Sequence, residues 1–146
     1  MDRVPSVVAG GIAGTAVLTL SLLLLEVQTR EQIRMFDVIA RFVGLPEQTT
    51  VGFVLFIVAG VLAWPLLFLA VEGYLPFGPD PAARGAVMAV ALWIAFAYAG
   101  RGTLSGPLLL IYAGYTFFAH IAYGFILGAV YAHLHEGVRL PREEYA

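Results

Sequence analysis

The chain has 146 residues, 60% of them hydrophobic and 12% charged, with a formal net charge of −2 and no cysteine. Soluble domains carry about 25% charged residues, so the balance argues against an ordinary soluble domain, and no basic block points to nucleic acid. Without cysteine there is no disulfide, thiolate metal site or cysteine nucleophile.

Four apolar runs, at about residues 4–25, 51–71, 82–99 and 107–133, approach or exceed the roughly 20 residues a helix needs to cross about 30 Å of hydrocarbon. They predict an all-α polytopic membrane protein, one domain over residues 1–146, folded as a four-span antiparallel bundle. An amphipathic interfacial helix is expected between spans one and two.

Arg3 gives the first run a positive start, but the run is longer than the roughly 7–15 residues of a signal-peptide core, and no small-x-small site follows it. It reads as a retained span. Gly10 and Gly14 form a GxxxG pair, with Gly11, Thr15 and Thr19 on an adjacent stripe. Small residues let two backbones approach, and Thr hydroxyls bond across or back to their own helix. Residues 22–25 are plain aliphatic and are expected to face lipid.

Between the first two spans, Arg30, Arg34, Asp37 and Arg41 follow at spacings of 4, 3 and 4, while Ile33, Phe36, Ile39, Ala40 and Val43 take the other face. That pattern predicts an amphipathic helix over about residues 30–43, with Arg30, Arg34 and Arg41 on its polar side. Such a helix lies on headgroups or docks on a partner; the alternative is a solvated connector covering the bundle end. Glu26–Arg30 and Glu31–Arg34 are spaced for local ion pairs. Gly44 is placed as a C′ residue, and Pro46 prevents continuation.

Within span two, Pro65 removes a backbone donor and predicts a kink after Trp64. Asp80 and Pro81 read as N-cap and first helical residue of span three, with Arg84 in reach of Asp80 or Glu72. Short connections make spans two, three and four sequential antiparallel neighbours. The tail, 136–146, is expected to fray. An even span count puts both termini on one side, but arginines divide four against four, so orientation stays undetermined.

His120 falls near the middle of span four, where an ionisable residue is a functional candidate. Tyr112, Thr116, His120, Gly124, Gly128 and Ala132 recur every four residues, and Tyr123 lies on a neighbouring line. In one reading His120, Tyr112, Thr116 and Tyr123 form a polar intramembrane site for a headgroup, quinone or proton, which requires a polar cavity. In the other, neutral His120 bonds a Thr or carbonyl of span one, and Gly124 and Gly128 let that helix pack closely. No cofactor or metal is called for: no second His at membrane depth completes a haem site, and His133 and His135 point apart. No catalytic constellation is present, and no catalytic residue is assigned.

Residues 10–15 (GGIAGT), 26–30 (EVQTR), 39–44 (IARFVG), the Trp64-Pro65 step, 78–84 (GPDPAAR) and 120–124 (HIAYG) together resemble a family of small four-span membrane proteins of unknown function, found mostly in halophilic archaea. The resemblance implies a four-helix membrane fold in a prokaryotic plasma membrane and carries no established activity or binding residues. The sequence therefore points first to a non-enzymatic accessory or scaffolding subunit of a membrane complex. Its neighbours would be the bilayer and a membrane protein or a second copy of itself, contacted through small-residue faces such as Gly10, Gly14, Gly124 and Gly128. The alternative is a small-molecule, lipid, quinone or proton-handling bundle centred on His120.

Overall fold

The computed structural model describes residues 2–30 and 33–136. Five helices follow in order: α1 (Arg3–Gln28), α2 (Met35–Phe42), α3 (Thr49–Tyr74), α4 (Pro81–Gly100) and α5 (Gly106–Glu136). No strand occurs among the described residues. The helices α1, α3, α4 and α5 are long and apolar enough to cross a membrane, and only 22% to 39% of each most apolar window is buried. Their outward faces are therefore apolar too, with Ile12, Leu20, Ile94, Leu110 and Phe118 all exposed.

Local chemistry sets the ends of the elements. Asp80 caps α4 by accepting from the Ala82 amide at 3.0 Å, and Pro81 takes the first helical position, where its missing N–H is no loss. After α2, Gly44 adopts φ +74°, with its amide on Arg41 O and the Leu45 amide on Ala40 O. That is a Schellman ending, as the Gly44 placement predicts. The helix between the first two long helices is shorter than the predicted 30–43. Arg30 sits at φ +51° in the turn that ends α1, and Arg34 is extended before α2, so of the three arginines only Arg41 is helical. A helix continuous from Arg30 would need that left-handed residue to be right-handed. Arg34 pairs instead with Asp37 at 3.2 Å. The Glu31–Arg34 pair and the tail beyond Glu136 lie outside the described residues.

The helices are ordered α3, α1, α5, α4 around the bundle, each neighbour pair antiparallel. Gly10 of α1 meets Leu127 of α5, and Gly14 meets Tyr123 one turn on. On the other flank of α5, Gly124 faces Gly85 of α4 and Gly128 faces Pro81; a Cβ on either of these α5 glycines would collide with α4 backbone. The two glycine seams thus serve different partners. Gly124 and Gly128 hold α4, not α1, because α1 takes the adjacent Tyr123–Leu127 line. Residues 22–25 also depart from expectation: Leu22 and Leu25 are buried, in one core with Ile33, Met35 and Phe36 from the segment that folds back over them, while Leu23 and Leu24 are exposed.

Pro65 shapes α3 without a sharp break. The turn before it, Ala59–Ala63, widens to a π-helix, and the Trp64 amide reaches back to Ala59 O. Gly60 O consequently has no backbone donor, since the next residue is proline. The Pro65 ring packs on Gly11, where any Cβ would strike it. Helices α3 and α4 are sequential and antiparallel but do not pack along their lengths, meeting at the Glu72–Tyr74 end. Helix α2 bridges them at the opposite end, on α3 and beside Gly100 of α4.

Candidate functional site

The gap between α3 and α4 is a partly open crevice of about 370 Å³. Leu55, Phe56, Ala59, Gly60 and Trp64 form its α3 wall; Leu92, Ala95 and Phe96 form its α4 wall. Ile39, Phe42 and Val43 close the α2 end, and Leu18, His120 and Tyr123 make the floor. The crevice exists because α3 packs on α1, at Gly11–Pro65 and Gly60–Thr15, rather than on α4.

The four residues of the proposed polar site do not converge as a polar cavity. Tyr112 is fully buried and donates its hydroxyl to Phe96 O of α4 at 2.8 Å. Thr116 is also fully buried; its hydroxyl donates to Tyr112 O at 2.6 Å and accepts from the Trp93 indole at 3.2 Å. Tyr123 donates to Gly60 O at 2.7 Å, supplying the carbonyl that the π-turn and Pro65 leave without a partner. These three hydroxyls stitch helices together: Tyr112 and Thr116 hold α4, and Tyr123 holds α3. Neither Tyr112 nor Thr116 lines the crevice.

His120 differs. Its Nδ1 lies 2.7 Å from Thr116 O, one turn back on its own helix rather than on span one. The residue is 6% exposed, and its ring tilts against Phe96 at a centroid distance of 4.9 Å. No described residue bonds Nε2. The buried side-chain nitrogens and oxygens lacking a partner are Thr15 Oγ1 and Arg84 Nε among the described residues. Nε2 is not fully enclosed, and His120 lines the crevice. The crevice is thus mostly apolar, with the His120 ring at its floor and the Trp64 indole on its α3 wall.

At the end holding the start of α1, Arg3 pairs with Glu72 of α3 and donates from Nε to Tyr131 of α5 at 3.1 Å. Glu72 is therefore taken by Arg3, not Arg84, and the cluster ties three helices where their polar ends meet. At the other end, Arg41 reaches the last carbonyl of α4, Gly100 O, at 3.4 Å. Among the described residues no group of three His, Cys, Asp or Glu gathers to hold a metal ion.

Sequence reading singles out His120 and Tyr123 but not the walls. Phe56, Trp64, Leu92 and Phe96 are apolar residues in apolar spans, and only the Trp64-Pro65 step signals an irregularity of α3 beside them. No curated protein and no solved structure matches the chain. Residues 1–140 match the family of unknown function DUF6789, and on that extent of match the chain belongs to it.

Proposed function

We propose that the chain is a multi-pass protein of a prokaryotic plasma membrane that holds an elongated apolar molecule entering from the bilayer between α3 and α4. The observation that carries this reading is the crevice itself: about 370 Å³, within the roughly 300–1,000 Å³ of ligand sites, mostly apolar on its walls and with the His120 ring at its floor. The outward apolar faces support the membrane, since lipid is the solvent that suits exposed Leu20, Leu110 and Phe118. The motif resemblance supports a prokaryotic, haloarchaeal setting. One membrane domain then serves both to span and to bind.

An accessory or scaffolding role draws its support from the same outward faces. Lipid covers such faces equally well, and Gly10, Gly14, Gly124 and Gly128 are occupied within the chain. The binding role is therefore the better supported of the two.

Trp64 lines the crevice, so a brominated long-chain alcohol should quench its fluorescence saturably in detergent. Ala95→Phe, which adds a ring at an exposed position of the α4 wall, should abolish the saturable component and leave the helical content unchanged. Quenching that rises linearly with micellar bromine, equally in both proteins, would contradict binding.

A further inference from the structure

The chemistry of the floor atom narrows the ligand class, on the premise that the crevice is a ligand site. Thr116 O is a carbonyl and can only accept, so the 2.7 Å contact places the proton on Nδ1 of His120. No carboxylate lines the crevice. The ring therefore has no counter-ion there, and hydrocarbon favours its neutral form. A neutral imidazole protonated at Nδ1 presents Nε2 as a hydrogen-bond acceptor. The second ring nitrogen is thus committed by a backbone contact on the far side of the ring.

An acceptor at the floor of an apolar slot discriminates among amphiphiles. A hydrocarbon chain leaves Nε2 unpaired out of water, which carries a penalty. A ketone, aldehyde or ester presents another acceptor and sets two lone pairs against each other. A hydroxyl donates to Nε2 and relieves both. Sites built to bond a hydroxyl reject analogues lacking it far more strongly than apolar pockets reject an extra methylene.

We infer that the crevice selects a long-chain alcohol, with its hydroxyl donating to His120 Nε2 and its chain lying between α3 and α4. The phenol of Tyr123, also on the floor, already donates to Gly60 O and does not compete for Nε2 as a donor. The chain end that carries the hydroxyl enters first, because His120 is at the floor and the open side faces away from it.

The test is competition against the brominated probe by three ligands of equal chain length: octadecan-1-ol, its methyl ether and octadecanal. Concentrations are expressed as mole fraction in the micelle, so that partitioning cancels. The alcohol should displace the probe at about fivefold lower mole fraction than the ether or aldehyde, the factor of one ordinary hydrogen bond. His120→Phe should bring the three to equality, and His120→Gln, which can offer a side-chain carbonyl acceptor, should retain part of the preference. Equal displacement by all three in the unaltered protein, or tighter binding of the aldehyde, would overturn the donor selectivity while leaving the crevice a ligand site. Failure of all three to displace a bound probe would overturn both. The comparison within the unaltered protein decides the point even where a His120 variant does not fold.

Discussion

His120 and Thr15 show how differently two buried polar side chains can be used. Thr15 is 3% exposed, and its hydroxyl is wedged against Gly60 with no partner among the described residues. An unsatisfied buried hydroxyl contributes nothing that an isosteric methyl would not. Thr15→Val should accordingly leave stability within about 0.5 kcal/mol of the parent or raise it, measured by denaturant or SDS titration in detergent. A loss well above that would mean that Thr15 makes a hydrogen bond in the folded protein. Spacing every fourth residue was enough to identify Tyr112, Thr116 and His120 as one buried face of α5. It could not show where each polar atom points, because a Thr hydroxyl or Tyr phenol can reach its own helix or a neighbour from the same position. Tyr112 and Tyr123 found backbone carbonyls, and only His120 kept a free nitrogen.

At the scale of the helix, Pro65 is the cause and Tyr123 the response. Without a proline N–H, and with the Trp64 amide drawn back to Ala59 O, Gly60 O is orphaned, and the Tyr123 hydroxyl supplies the missing donor across the bundle. Tyr123→Phe should cost about 1–3 kcal/mol, the penalty of a buried unsatisfied carbonyl. Pro65→Ala restores an amide whose presence gives Gly60 O a backbone donor in either an α- or a π-turn. In that background Tyr123→Phe should cost less than half as much. Additive effects in the double-mutant cycle would show that the two residues act independently. The proline was visible in the sequence as a kink, but a kink, a break and a π-turn share the same signal. The partner that satisfies the carbonyl left open by the π-turn lies 63 positions away on another helix. The arginines of 30–43 depart from the predicted face for a related reason: a 3.6-residue period describes a face only if the backbone stays right-handed, and at Arg30 it does not.

Across the whole molecule, the four apolar runs gave the number and approximate extent of the long helices; Gly10 and Gly14 do bring α1 against α5, while Gly124 and Gly128, read for the same seam, face α4. What composition could not give is the order around the bundle, because every outward and inward face is apolar and no hydrophobic contrast marks which is which. The crevice follows from that order: α3, α1, α5 and α4 form an open arc, bridged at one end by α2. The arc also puts the turn before α2 and the α4–α5 turn at one end, and the start of α1 and the α3–α4 turn at the other. The chain has no cysteine, so single cysteines report topology cleanly. Gly44→Cys and Thr103→Cys should react with an impermeant maleimide from one face of sealed vesicles, and Asp2→Cys and Phe77→Cys from the opposite face. Labelling of all four from one face would rule out the transmembrane arrangement.

The central claim is that a long apolar molecule occupies the space between α3 and α4. A photoreactive long-chain alcohol, incorporated in vesicles with the full chain and mapped by peptide mass spectrometry, tests it directly. Adducts should concentrate on Trp64, Leu92 and Ala95 and fall when unlabelled octadecan-1-ol is added. Adducts spread evenly over outward residues such as Leu20, Leu110 and Phe118, and indifferent to competitor, would contradict it.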